Sequence, residues 1–199
     1  MNNHINTEII EKVEGKFLKV ELGNDIFYLP FKLIGGHWVG FLDISGQFAL
    51  IERAADILVE MFEKAGVEFD TILNPVSKSN ALAHAIAVRW SKNHPGLTHT
   101  VVARKSSDVA NPVQASYRSV TTPKEQILSL TADDAEYIKG KKVLLVDDVF
   151  GGGSTTKALR ELVAHAEAEV AFHAVIGVEQ GASFPEKLFY LFTLPVLND

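Results

Sequence analysis

The residues most suited to chemistry are two adjacent carboxylates, Asp147 and Asp148, at the end of the apolar run KVLLV. Glycines at 151–153 and hydroxyl residues at 154–156 follow them. Glycines expose backbone N–H groups and a helix N-terminus carries partial positive charge, so this turn suits a phosphate. The carboxylates would repel a phosphate, but they can accept hydrogen bonds from sugar hydroxyls or hold Mg²⁺ through water. The pattern therefore indicates a ribose 5-phosphate site.

The segment does not fit two common nucleotide-binding motifs. The spacing G-x-x-x-x-G-K-[ST] is missing, and the acids precede the glycines instead of following them. An ordinary glycine-rich turn with two solvated acids is the simplest alternative to a ribose 5-phosphate site. Neighbouring like charges at the end of a buried strand need partners, which favours a binding site.

The segment VLLVDDVFGGGST, residues 143–155, resembles the phosphoribosyl pyrophosphate (PRPP) signature of type I phosphoribosyltransferases. The resemblance implies that Asp147 and Asp148 contact the ribose hydroxyls and Mg²⁺, and that the loop after them binds the 5-phosphate. Gly152 stands where many members have threonine, and Gly151 where some have an acid that contacts the base. The implied PRPP-binding residues are Asp147, Asp148, Val149, Phe150, Gly151, Gly152, Gly153, Ser154 and Thr155, with Ser77 and Ser79 from a second turn.

That second turn, NPVSKSN (74–80), lies between an apolar run and a helical pattern. The family has a pyrophosphate loop at this place, so the resemblance implies that Lys78 contributes positive charge there. Taken alone, the segment is typical of an ordinary capped turn with a solvated lysine.

Arg104 and Lys105 follow another apolar run and precede a polar stretch that Pro112 interrupts. We expect a long loop over 106–117. The resemblance to adenine and xanthine phosphoribosyltransferases implies a mobile lid here, with Arg104 and Lys105 in catalytic roles. A closing lid would exclude water from a reaction that builds oxocarbenium character on the ribose. The alternative is a plain surface loop with two solvated cations.

Val178-Glu179-Gln180 resembles the Val-Glu-Lys stretch of xanthine-type members. This implies that Glu179 and Gln180, with Phe150, contact the base. Glutamine both donates and accepts hydrogen bonds where lysine only donates. The substitution disfavours xanthine and leaves adenine, hypoxanthine, guanine or an unusual base open. Two polar residues ending a strand are the alternative.

Apolar strands alternate with helical patterns from residue 47 onward, which predicts an α/β fold with a parallel sheet flanked by helices. Ligands of such sheets bind at the carboxyl ends of the strands, where the segments above lie. Phe48, Ile51, Ala55, Leu58 and Phe62 are spaced as the buried face of the first helix. The predicted strands are 69–76, 99–105, 126–131, 142–148, 170–178 and 188–194, and the predicted helices are 47–66, 81–90, 132–140 and one starting at 154.

The first 45 residues form a different pattern, with apolar runs 17–22 and 25–30 around Gly23-Asn24 that predict a β-hairpin. We expect a loop at 35–38 and packing roles for both tryptophans, Trp38 and Trp90. We therefore divide the chain into a hood, residues 1–45 with a contribution from 179–199, and a core domain, residues 46–199.

Composition limits the classes of function. The chain has 199 residues, no cysteine and a net charge of −6, which excludes thiol chemistry and disfavours a nucleic-acid partner. It has no stretch of 18 apolar residues and no basic, apolar leader, so we expect no membrane partner and a cytoplasmic location. The family resemblance implies a homodimer.

Together these observations predict a Mg²⁺-dependent phosphoribosyltransferase that acts in purine salvage. It would transfer the 5-phosphoribosyl group from PRPP to a purine base, adenine or a 6-oxopurine, and release pyrophosphate. A non-catalytic PRPP-binding regulatory module on the same fold is the main alternative. A sugar-phosphate or nucleotide hydrolase is a weaker one.

Overall fold

The computed structural model describes residues 5–105, 111–119, 122–183 and 187–197. The helices are α1 (Phe48–Ala65), α2 (Asn80–Trp90), α3 (Ala132–Ile138) and α4 (Ser154–His165). The strands are β1 (Asn6–Lys12), β2 (Gly15–Leu22), β3 (Asp25–Ile34), β4 (His37–Gly40), β5 (Thr71–Pro75), β6 (Thr100–Ala103), β7 (Val113–Ser119), β8 (Thr122–Leu130), β9 (Lys142–Phe150), β10 (Glu169–Glu179), β11 (Leu188–Phe189), β12 (Phe192–Leu194) and β13 (Val196–Leu197).

A parallel sheet with the strand order β11-β10-β9-β5-β6 forms the centre of the molecule, as the sequence predicts. Residues 143–146 of β9 are all buried, because helices cover both faces of the sheet. Leu144 and Val146 pack in the same apolar cluster as α1 and α2. Val143 and Leu145 pack in a second cluster with α4. This central position fixes the end of β9, where the two acids lie.

Helix α1 buries Ile51, Ala55, Leu58 and Phe62 as predicted and ends at Gly66, which has a left-handed φ of 62°. Phe48 is 77% exposed, so its predicted place on the buried face is wrong. Phe48 is the first residue of the helix and lies before the buried stripe begins.

The N-terminal strands form an antiparallel sheet in the order β1-β2-β3-β4-β13. The predicted hairpin at Gly23-Asn24 is confirmed, with Leu22 opposite Asp25. The loop predicted at 35–38 is shorter: Gly35 and Gly36 make the turn with positive φ, and β4 starts at once. Trp38 pairs with Leu33 across this turn and is 42% exposed, so its predicted packing role is wrong. Trp90 is buried as expected.

The loop predicted over 106–117 is wrong in its second half, and residues 106–110 lie outside the described residues. β7 pairs with β8 in an antiparallel hairpin. Ala115 and Tyr117 are buried at alternate positions of β7, as expected for a strand with one buried face. This pattern is weak in the sequence, because the residues of the segment are mostly polar or small and Pro112 precedes them. The predicted strand 188–194 is divided into β11 and β12.

Candidate functional site

A cavity of about 230 Å³ lies between the carboxyl edge of the parallel sheet and the hood. The two strand-to-helix turns that the sequence singles out both contribute to it. Its lining residues are Ile34, Val39, Gly40, Phe41, Leu42, Lys78, Asp148, Val149, Phe150, Gly151, Gly152, Gly153, Ser154, Thr155, Thr156 and Glu179.

The two acids lie near the carboxyl end of β9 and are partly buried. Asp148 lines the cavity, whereas Asp147 does not. The Asp148 backbone N–H donates to Asp147 Oδ1 at 2.9 Å, and the Val149 N–H donates to Asp148 Oδ1 at 2.8 Å. Burial raises the pKa of both carboxyls, and the Asp148 charge raises the pKa of Asp147 further. The pair therefore carries negative charge that its own surroundings compensate poorly.

Hard oxygen ligands beside a phosphate site are what Mg²⁺ prefers, because it is usually held by one or two carboxylates, substrate phosphates and water. Asp147 and Asp148 fit that donor set, and the raised pKa values show that added positive charge would be favourable. Within the described ranges, no group of three or more metal-ligating side chains is present.

The glycine turn leads directly into α4. Gly153 is the N-cap residue of the helix and has a φ of 74°, a left-handed conformation that favours glycine. A glycine cannot cap the helix with a side chain, so backbone N–H groups at the start of α4 remain available for an anion. Ser154, Thr155 and Thr156 add hydroxyl groups at the same place and line the cavity.

The turn between β5 and α2 is held by its own side chains. Asn74 Nδ2 donates to Asn80 Oδ1 at 2.8 Å and to the Pro75 carbonyl at 3.1 Å. Ser79 lies at the N-cap position of α2, but its hydroxyl donates to the Pro75 carbonyl at 2.9 Å. Ser79 is buried and Ser77 is exposed, and neither lines the cavity.

Lys78 is the cation of this turn and lines the cavity. Its Nζ lies 3.7 Å from Asp43 Oδ1 and 5.7 Å from the centre of the Phe41 ring, both at the hood side. The positive charge of Lys78 lowers the pKa of Asp148, against the effect of burial. Lys78 and Asp148 thus act on the same space.

Arg104 and Lys105 lie outside the cavity. Arg104 Nη2 is 3.6 Å from Asp134 Oδ2, and its backbone pairs with Ser129 in β8. Lys105 is exposed. Tyr117 approaches the acids from β7: burial and the Asp147 charge both raise the pKa of its hydroxyl, which donates to Gln126 Oε1 at 2.7 Å.

The two polar residues at the end of β10 point to different places. Glu179 lines the cavity beside Gly151, whereas Gln180 accepts a hydrogen bond from the Val196 N–H at 3.0 Å and lies outside it. Phe150 lines the cavity but is only 4% exposed, packed with Val175 and Val178.

The sequence pattern does not predict the hood side of the cavity, which residues 34 and 39–42 form. The sequence feature that could have indicated this side is the apolar run after the Gly35-Gly36 turn. The start of that run, residues 35–38, is predicted as a loop. It becomes a cavity wall because Gly40 and Phe41 bond through their backbones to Pro195 and Pro30.

Comparison with known proteins gives a consistent result. The family described as "Phosphoribosyl transferase domain" matches residues 43–197. The chain is similar to adenine phosphoribosyltransferase of Saccharomyces cerevisiae (18% identity, 93% of each chain covered, TM-score 0.61). It is also similar to the Trypanosoma brucei enzyme (17% identity, 94% of this chain and 86% of that chain, TM-score 0.63) and the Thermoanaerobacter pseudethanolicus enzyme (20% identity, 77% and 87%, TM-score 0.58). No curated protein sequence matches the chain.

Proposed function

Since the chain belongs to the phosphoribosyl transferase family and is a PRPP-dependent transferase, we propose that it transfers the 5-phosphoribosyl group to a purine base, adenine or a 6-oxopurine. Pyrophosphate is the second product. The Trypanosoma brucei enzyme, solved in complex with AMP, pyrophosphate and ribose-5-phosphate, supports this choice through its similar fold.

The observation that carries the proposal is the meeting of Asp148, one member of the acid pair, and an open helix N-terminus in one cavity. Asp147 and Asp148 suit the ribose hydroxyls, because ionised carboxylates only accept hydrogen bonds. The turn over 151–155 suits the 5-phosphate, because backbone N–H groups and hydroxyls only a few residues away donate to it. These two chemistries on neighbouring residues of one cavity suit a ribose 5-phosphate.

Lys78 is placed to hold the pyrophosphate, since it is the cation that lines the cavity among the described residues. Bound Mg²⁺ would neutralise charge on the departing pyrophosphate, with Asp147 and Asp148 as its protein contacts, directly or through water. Arg104 and Lys105 stay in the proposal as catalytic residues, although neither lines the cavity. Their present distance from it makes Lys78 the stronger assignment.

The chemical step breaks the bond between ribose C1′ and the pyrophosphate oxygen and forms a bond from C1′ to a ring nitrogen of the base. The electron pair of the broken bond leaves with pyrophosphate. Positioning and electrostatic stabilisation supply the rate enhancement, because the acids and the turn hold the ribose while Lys78 meets the charge of the leaving group.

The base is placed against the hood side of the cavity. Residues 39–42 give that side an apolar surface suited to a flat ring, and Phe150 forms part of the opposite wall. Glu179 is the polar group in contact with this space. Gln180 would need to leave its bond to Val196 before reaching a base.

A substrate screen tests the proposal. The protein is incubated with PRPP, Mg²⁺ and one base at a time, from adenine, hypoxanthine, guanine, xanthine, uracil and orotate, and pyrophosphate release is measured. Release with a purine is the expected result. PRPP binding without release for any base would support the regulatory module, and turnover of a sugar phosphate without PRPP would support the hydrolase.

Partners beyond the small molecules stay predictions. The described residues include no helix long and apolar enough to cross a membrane. We propose a homodimer from the family resemblance, and a cytoplasmic location without a nucleic-acid partner from the composition and the net charge of −6.

A further inference from the structure

The Glu179 side chain ends directly above the Cα atom of Gly151. A Cβ atom added at Gly151 would lie 2.5 and 2.9 Å from the two Glu179 carboxylate oxygens and 2.7 Å from its carboxylate carbon. Real Cβ atoms do not make such contacts, so the Glu179 carboxylate occupies the space that any side chain at 151 would need.

The pairing of β9 with β10 creates this arrangement. Val178 lies opposite Phe150 in the parallel register, which brings the next residue of each strand together at the edge of the sheet. The backbone of Gly151 is outside the left-handed region, unlike that of Gly153. The Glu179 carboxylate can take this position because residue 151 is a glycine, and a side chain at 151 would have to displace it.

The Glu179 carboxylate has no hydrogen-bond or ion-pair partner among the residues that the structure describes. It is partly buried in the cavity, and this burial raises the pKa of the carboxyl. A desolvated carboxylate without donors is costly, and a donor on a ligand would offset that cost. The sugar and phosphate have other partners in the 147–155 segment, so the base is the part of the ligand left for Glu179.

We propose that Glu179 determines base specificity: its carboxylate, seated in the side-chain space of Gly151, accepts a hydrogen bond from an N–H group on the edge of the nucleobase. Bases with an N–H donor at that edge are favoured, and bases that present only acceptor atoms are disfavoured because a carboxylate repels them. This inference rests on the proposed function, since it requires the cavity to hold the base of a nucleotide.

Nucleotide binding measured by isothermal titration tests the inference without requiring turnover. The probes are AMP and IMP, whose six-membered rings carry N–H donors, and purine riboside 5′-phosphate, whose ring carries none. For the wild type, at least one donor-bearing nucleotide should bind about 10-fold more tightly than the donor-free one, as a hydrogen bond to a charged group predicts. In Glu179→Met the ratio should fall below about 3-fold.

Glycine variants test whether the position of the Glu179 carboxylate beside Gly151 matters for binding. Gly151→Ala should push the flexible end of Glu179 aside and lower the ratio as Glu179→Met does. The double variant should lower it no further, because both changes remove one interaction. Gly96→Ala is the matched control: its Cβ meets nothing within 4 Å and its φ is not left-handed, so the ratio should stay at the wild-type value.

Different failures have different meanings. An unchanged ratio in Glu179→Met would overturn the inference, as would a wild type that binds PRPP but none of the three nucleotides. In both cases the PRPP site of the proposed function would stand. A wild type that binds neither PRPP nor nucleotides would overturn the proposed function and the inference together.

Discussion

The two strand-to-helix turns at the edge of the parallel sheet are built in opposite ways. The turn from β5 to α2 satisfies itself, since Asn74 bonds to Asn80 and to the Pro75 carbonyl, and Ser79 bonds to the same carbonyl. The turn from β9 to α4 does so only in part, through the backbone N–H bonds that its two acids accept. It keeps two carboxyls with raised pKa values and a helix start whose N-cap is glycine.

This difference indicates that the β5–α2 turn is a scaffold and the β9–α4 turn is a binding surface. Side chains that satisfy one another hold the β5–α2 turn in place, so that its exposed member Lys78 is presented to the cavity. The β9–α4 turn leaves its charges and N–H groups for something outside the chain. Substitutions in the β5–α2 turn should therefore destabilise the fold. Substitutions in the β9–α4 turn should weaken ligand binding and stabilise the fold.

The largest effect is expected for Asp148→Asn. The substitution removes a charged acceptor for the ribose hydroxyls and a Mg²⁺ contact, so kcat/KM for PRPP should fall by about 100-fold or more. Steady-state pyrophosphate release measures it. Asp133→Asn, an exposed acid in the first turn of α3, serves as the control and should keep full activity. Equal kcat/KM values for Asp148→Asn and the wild type would break the distinction between the turns.

The second effect concerns the one exposed cation of the self-satisfied turn. Lys78→Gln should weaken PRPP binding by about 10- to 50-fold, since a charge-assisted hydrogen bond is lost. Binding of ribose 5-phosphate, which lacks pyrophosphate, should change by less than about 3-fold. Titration of both ligands separates these outcomes. Equal losses for the two ligands would contradict the assignment of Lys78 to pyrophosphate.

The third effect is on stability. Asn74→Ala should lower the free energy of unfolding by roughly 1–2 kcal/mol, because it removes the donor to the Asn80 side chain and one of the two side-chain donors to the Pro75 carbonyl. Urea denaturation measures this change. Asn93→Ala is the matched control, because its bond to Glu63 is exposed and 3.3 Å long. Equal losses of stability in both variants would contradict the claim that the side-chain hydrogen bonds of the β5–α2 turn stabilise the fold.

The smallest effect has the opposite sign. Asp147→Asn should weaken PRPP binding by about 10-fold yet raise the free energy of unfolding at pH 8 by roughly 1 kcal/mol, or about 2–4 °C in Tm. The pKa of Asp147 is higher in the folded protein than its ordinary value of 3.8. Folding therefore takes up a proton between those two values, and wild-type stability falls as the pH rises through that window.

The gain from Asp147→Asn should thus be greatest above the folded-state pKa and shrink as the pH approaches 3.8, where the wild-type carboxyl is protonated in the folded state. Thermal unfolding across this pH range measures the trend. If Asp147→Asn were less stable than the wild type at pH 8, the acid pair would stabilise the fold. That result would contradict the proposed difference between the two turns.

The sequence predicts the central sheet and its functional edge well. Continuous apolar runs such as residues 143–146 have few structures open to them other than a buried strand. The rule that ligands bind at the carboxyl ends of parallel strands then places Asp148 and the glycine turn correctly in the cavity. Local pattern and global position agree for these residues.

The seat of Glu179 over Gly151 could not be predicted in the same way. It depends on the register between β9 and β10, which shifts between Val170 and Phe172. A shift of one residue would turn the side chain to the other face of the sheet. β7 is not predicted for a related reason. Its pairing with β8 stabilises it, and the residues of β7 alone do not indicate that pairing.

Titration of PRPP in the presence of Mg²⁺ tests most directly whether the β9–α4 turn binds a phosphorylated ribose. The wild type and Asp147→Asn are compared at pH 8, and unfolding of the same samples is followed by heating. We predict saturable PRPP binding by the wild type, about 10-fold weaker binding by Asp147→Asn and a higher Tm for that variant. Equal PRPP affinity in both proteins, or none in the wild type, would contradict the assignment of this turn to the phosphorylated ribose.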